Sequence, residues 1–118
     1  MKPMGIHFDA PFNIGDKVYI FDKDASFLDN MPRIVRTEIL GYAYTKDYMD
    51  DKPMPKYIIT DRTEEYGESY KDIALVFGSP DEAISAVERD PVLFGIDDKG
   101  EAKEIVELCK KSKVLNWT

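Results

Sequence analysis

Catalysis by a nucleophile and base pair, or zinc held by nitrogen and sulfur, needs histidines or cysteines in groups. This sequence has one of each, His7 and Cys109, at opposite ends of the chain. Neither set is therefore available. His7 lies between Ile6 and Phe8 and reads as a surface or half-packed side chain. Cys109 falls on the apolar stripe of a predicted helix and reads as a small core hydrophobe. Asp22-Lys23-Asp24 begins like a calcium loop, but Phe27 stands where the turn glycine is required and Arg33 where the bidentate glutamate is required. The glycines are scattered singly, with no phosphate-cradling loop. No catalytic residue, no metal ligand set and no cofactor is assigned.

Aromatic and acidic side chains remain as the candidates for recognition. Tyr19, Phe21, Tyr42, Tyr44 and Tyr57 fall in predicted strands, on the phase opposite Val18, Val35 or Ile39 or near strand ends. Two readings stay open: an aromatic groove that receives an extended peptide, or a second minor core. Trp117 either folds back on the sheet or anchors a partner. Asp61, Glu64, Glu65 and Glu68 form an acidic turn, and Asp47, Asp50 and Asp51 extend it from the preceding loop. Such spaced carboxylates either keep a loop solvated or imitate nucleic acid before a basic groove.

The elements that would position these groups follow from periodicity. Gly15-Asp16-Lys17-Val18-Tyr19-Ile20-Phe21-Asp22 is a turn feeding a strand at about residues 16–22, with Val18 and Ile20 on one face and Lys17, Tyr19 and Phe21 on the other. A loop at 23–32 precedes a long strand at 33–45, and Gly41 within it predicts a bulge or bend. Residues 46–55, with three aspartates and two prolines, read as a loop. A third strand is expected at 56–61 and a fourth at 69–77, where Ile73, Leu75 and Phe77 alternate with Asp72, Ala74 and Val76. Ser79-Pro80-Asp81-Glu82 is a capping box opening a helix over 80–89, which Asp90-Pro91 ends. Asp98 is the candidate cap of a second helix over 100–112, striped by Ala102, Ile105, Val106 and Cys109.

The order predicts one α+β domain: a small antiparallel SH3-like barrel or curled sheet of four to five strands, followed by two C-terminal helices. Within it, residues 1–13 are an arm, 14–78 the sheet and 79–118 the helical part. The 118 residues suffice for one core that buries about two-thirds of the unfolded chain's surface. The opening Gly15-Asp16-x-Val18-Tyr19, the bent second strand, two shorter strands and Phe77-Gly78-Ser79-Pro80-Asp81-Glu82-Ala83 entering a helix resemble the small SH3-like or KOW-like barrel proteins of uncharacterised bacterial and phage open reading frames. The resemblance is architectural and spans about residues 14–88. It implies a binding module without naming the ligand.

Charge narrows the partner. The net charge of −7 repels nucleic acid overall, and residues 61–72 hold five acids against Arg62 and Lys71. Nucleic-acid-binding members of the resembling group would be basic there. No apolar run approaches the roughly 20 residues of a membrane span, and Met1–Asn13 lacks the basic and apolar pattern of a secretory signal. A cytoplasmic location is the expectation, and a single cysteine suits it.

The leading functional expectation is thus a non-catalytic module that binds a protein partner through an aromatic or helical face. The alternative is an acidic inhibitor, a nucleic-acid mimic that blocks a basic nucleic-acid-handling protein, a role open to a phage-encoded protein. An enzyme with a carboxylate-only site ranks third. Direct nucleic-acid and membrane partners are not expected, and the chain is read as a monomer or homodimer.

Overall fold

A computed structural model describes residues 11–23, 32–45 and 53–118. His7, the Asp24 and Phe27 positions of the calcium-like loop, and Asp47, Asp50 and Asp51 lie outside the described residues.

Strands β1 (Lys17–Asp22), β2 (Arg33–Thr45), β3 (Met54–Thr60) and β4 (Glu68–Asp72) form an antiparallel sheet in that order. Helices α1 (Pro80–Arg89) and α2 (Lys99–Lys111) follow, and a two-residue strand β5 (Leu115–Asn116) returns to the sheet. The fold is α+β, and its sheet is curled rather than closed into a barrel.

The curl is made by β2. Its first half pairs with β1, from Asp22↔Arg33 to Lys17↔Glu38, and its second half pairs with β3, from Ile39↔Ile59 to Thr45↔Met54. Between Ile39 and Gly41 the register shifts, so Leu40 is the extra residue of a bulge where the sequence predicted one. A bulge bends its strand and increases the local twist, which lets one strand serve two half-sheets.

Both faces of the β1–β2 half are covered, which explains why β1 carries apolar residues on both phases. Phe21 and Ile34 pack with Ala83 and Val87 of α1, Ile96, and Ala102, Ile105, Val106 and Cys109 of α2. On the opposite face Val18, Ile20, Val35, Ile39, Tyr57, Ile59, Val76 and Trp117 form a second core. The helices dock through the stripes expected of them. Ser79 Oγ accepts from Glu82 N–H at 3.2 Å, and Glu82 reaches back to Gly78 N–H at 3.0 Å, completing the capping box one residue early. Asp98 caps α2 by accepting from Gly100 N–H at 2.8 Å.

Three boundaries differ from the sequence expectation. The fourth strand does not run to residue 77: it ends at Asp72, and Ile73–Leu75 is a 3₁₀ turn. The alternation of Ile73, Leu75 and Phe77 that imitated a strand instead serves a change of direction. Ile73 packs on the second core, and Phe77 turns back to exchange two main-chain hydrogen bonds with Tyr19, at 2.8 and 2.9 Å. The third strand starts at Met54 and tolerates Pro55, because β4 pairs only from Lys56 onward and no ladder on that side needs the missing N–H. Finally, the helical part does not extend to the end of the chain. Leu115 and Asn116 pair in parallel with Val35 and Arg36, on the side of β2 that β1 leaves open.

Candidate functional site

The aromatic residues singled out in the sequence do not form one face. Tyr19 and Phe21, opposite in phase to Val18, point to the helices, and Phe21 meets Phe94 edge-on at 5.7 Å. Tyr42 and Tyr57 belong to the other core, with ring centroids 5.8 Å apart. The bulge is the cause. Without it Tyr42 would stand opposite Ile39; the extra residue flips the phase and places Tyr42 across from Tyr57 on the inner face. Tyr57 is fully buried, its phenolic oxygen accepts from Phe12 N–H at 3.1 Å, and Tyr42 OH donates to Phe12 C=O at 2.8 Å. These two hydroxyls clamp the chain entering β1. Trp117 is 6% exposed and caps the same core, with its N–H donating to Arg36 C=O at 2.9 Å. Tyr44 alone of the set is substantially exposed, at the far end of β2. Packing, and not a shared groove, is where four of the five strand aromatics and the tail tryptophan are placed.

The acidic residues divide differently. Asp61 is buried, and its carboxylate accepts from Thr63 N–H at 2.8 Å and Thr63 Oγ1 at 2.5 Å. It builds the turn. Asp61 N–H also donates to Gly67 C=O at 2.8 Å, closing a hairpin between β3 and β4. Gly67 sits there at φ 75°, a left-handed conformation that a side chain would strain. Outside the closure, Glu64, Glu65 and Glu68 stand exposed, and no ion pair among the described residues engages them. Arg62, the cation nearest Glu64 and Glu65 in sequence, is turned away. Its guanidinium donates to Trp117 C=O and Thr118 C=O at 3.3 and 3.2 Å.

Two tyrosines that the sequence reading left in a turn and a strand join these glutamates. Tyr66 is 87% exposed and Tyr70 56% exposed, and with Glu64, Glu68 and Ser69 they line a shallow groove of about 410 Å³. Exposed aromatic rings flanked by carboxylates are suited to a cationic side chain, which gains from both the ring face and the charge. The available signal was the run Glu68-Ser69-Tyr70-Lys71-Asp72, polar on both phases, which marks an edge strand with an outward-facing ring. No family model matches the chain, and no curated protein is significantly similar to it. The assignment of a surface therefore rests on this geometry.

A second concavity lies between the helices, about 420 Å³ in volume and lined by Arg89, Pro91, Lys99, Lys103 and Val106 among others. Lys110 spans it, 3.9 Å from both Glu88 and Glu107. Its charges are of both signs, and it lacks the exposed rings of the hairpin. Among the described residues no group of three histidine, cysteine or carboxylate side chains is placed to hold a metal. No helix there is long and apolar enough to cross a membrane.

Cys109 lies in the first core, and burial pushes its thiol up from 9.0 to about 11, partly offset by the Arg33 charge. Ionising it in the folded chain is disfavoured, so its contribution to stability is complete below about pH 9 and is lost as the pH rises toward about 11. Cys109→Ala is expected to remove that part of the alkaline loss, as read from denaturant midpoints of the two proteins between pH 8 and 11. Identical pH slopes would contradict the burial argument.

Proposed function

We propose that this protein is a non-catalytic protein-interaction module and that the β3–β4 hairpin is its contact surface. The observation that carries the reading is the concentration of Tyr66, Tyr70, Glu64 and Glu68 on one exposed groove while Tyr19, Phe21, Tyr42, Tyr57 and Trp117 are used in packing. Tyrosine supplies large contact area at small entropic cost, and this is why it recurs at recognition surfaces. The carboxylates add steering toward a basic partner. The module acts in the cytoplasm, alone or as a homodimer, and the partner is a protein.

One observation also favours a second reading, an acidic inhibitor occupying the nucleic-acid site of a basic protein: among the described residues no ion pair engages Glu64, Glu65 or Glu68, and Arg62 is held at Trp117 and Thr118. Salt separates the two. At about 0.1 M ionic strength the screening length is about 10 Å, so binding carried by charge alone weakens steeply above it, while binding carried by the rings persists.

Affinity capture with the tagged protein from a lysate of its source or host, at low and high salt, compares wild type with E64Q/E65Q/E68Q and with Y66A/Y70A. A partner kept at high salt by wild type and lost with Y66A/Y70A is the expected result. Loss of a basic nucleic-acid-handling protein at high salt, and with the triple glutamine variant only, would favour the inhibitor. A partner unaffected by either variant would overturn both readings of the hairpin.

A further inference from the structure

The β4 edge carries a more specific expectation. β1 has its outer edge engaged by Phe77, and the first half of β2 has its second side engaged by β5. β4 pairs with β3, and no other described strand pairs with it.

The ladder sets the phase of the main-chain groups of β4 that no described strand engages. In an antiparallel ladder, hydrogen-bonded and non-hydrogen-bonded pairs alternate. Asp61 N–H donates to Gly67 C=O, which makes this a hydrogen-bonded pair; Ser69↔Ile59 and Lys71↔Tyr57 are then the next two. The pairs between them, Glu68↔Thr60 and Tyr70↔Ile58, direct their N–H and C=O groups away from each other. Thr60 obeys this, since its carbonyl accepts from Thr37 Oγ1 of β2 at 2.5 Å. It follows that the main-chain groups of Glu68 and Tyr70 point out of the sheet, beside the same residues' exposed side chains.

We propose, resting on the hairpin reading above, that β4 receives an extended segment of the partner as an added strand. That segment carries a lysine or arginine opposite Glu68 and, two residues away, a β-branched or aromatic residue opposite Tyr70. The spacing of two is fixed by the strand period, and cross-strand pairs of opposite charge and of aromatic with β-branched residues are favourable. Asp72 contributes less to the choice, because Lys56 Nζ already lies 2.9 Å from its carboxylate. A second copy of the chain is the poorer occupant. Pairing two β4 strands about an axis through Tyr70 sets Glu68 of each opposite Asp72 of the other, so neither Glu68 gains a cation across the strands.

The test titrates the isotopically labelled full chain, followed residue by residue by NMR, with the heptapeptide Thr-Lys-Thr-Val-Thr-Lys-Thr at millimolar concentration. Saturable shifts centred on residues 68–72 are expected. N-methylation of the amides along one edge of the peptide should weaken binding by about tenfold or more, while methylation of the opposite edge should be tolerated, because only one edge donates to β4. The version with glutamate in place of both lysines should also fail. No shift at 68–72, or equal tolerance of both methylated edges, overturns the strand-addition proposal. Should that happen while Y66A/Y70A still abolishes partner capture, the hairpin reading stands and only the strand pairing falls. Capture indifferent to Y66A/Y70A would instead remove the hairpin reading itself.

Discussion

Trp117→Ala is expected to lower the unfolding free energy by about 3–5 kcal/mol, the usual cost of truncating a large buried aromatic ring. The ring is 6% exposed and packs on the second core with Val18, Val35 and Tyr57. It is brought there by a short but directed return of the chain: Leu115 and Asn116 pair with Val35 and Arg36, and Trp117 N–H donates to Arg36 C=O. The backbone bond survives the substitution, so the loss measures the ring. Urea unfolding of wild type, Trp117→Ala and Trp117→Phe checks this, with the phenylalanine variant intermediate. A loss below about 1 kcal/mol would mean that the ring does not close the core. Should Trp117→Ala also leave stability intact while abolishing partner capture, the tail would be an anchor after all.

Tyr57→Ala is expected to cost a similar 3–5 kcal/mol, and Tyr57→Phe about 1 kcal/mol. The difference separates two roles of one side chain. Its ring fills the space between Tyr42 and Phe12, with centroids 5.8 and 6.1 Å away. Its hydroxyl accepts from Phe12 N–H at 3.1 Å, and phenylalanine keeps the ring while leaving that donor to water. The hydroxyl has a pH signature too. Burial first, with smaller effects from Tyr42 and Asp16, raises the phenol above its usual 10.0, while the bond from Phe12 opposes the rise. The unfolded chain therefore ionises first. The contribution is complete below about pH 10 and declines above it, and Tyr57→Phe should lack that decline. Chemical unfolding of both proteins from pH 8 to 11 reads the difference, and parallel curves would contradict it.

The helices were legible because their signals are local. Ser79, Pro80 and Glu82 act within one turn, and the stripe Ala102, Ile105, Val106 and Cys109 needs only the 3.6-residue period. β1 and the bend in β2 were legible for the same reason. What escaped depends on residues distant in sequence. Tyr42 changed faces through a single extra residue at Leu40, and no local pattern says on which side of a bulge the phase resumes. The 3₁₀ turn at Ile73–Leu75 has a strand's alternation, and only the need of Phe77 to reach Tyr19 breaks the strand. β5 is two residues long, too short for any periodicity. Of the candidate surface, the glutamates were read from composition. Tyr66 and Tyr70 were passed over because their exposure depends on β4 being an edge, which is a property of the whole sheet.

The same dependence explains why the proposed surface differs from the aromatic face expected from the sequence. Packing consumed most of the aromatics that the sequence offered for recognition: Phe21 under the helices, Tyr42 and Tyr57 under the entering chain, Trp117 at the tail. Among the described residues Tyr66 and Tyr70 are the most exposed rings, and they contact solvent at an edge already lined with carboxylates.

The central claim, that the β3–β4 hairpin meets the partner, is tested most directly by hydrogen-exchange footprinting of the full chain with and without its captured partner. Slowed exchange concentrated in residues 64–72, with the α1–α2 groove unchanged, is the expected result. Protection confined to that groove, or to surfaces that leave residues 64–72 exchanging as in the free protein, would contradict it.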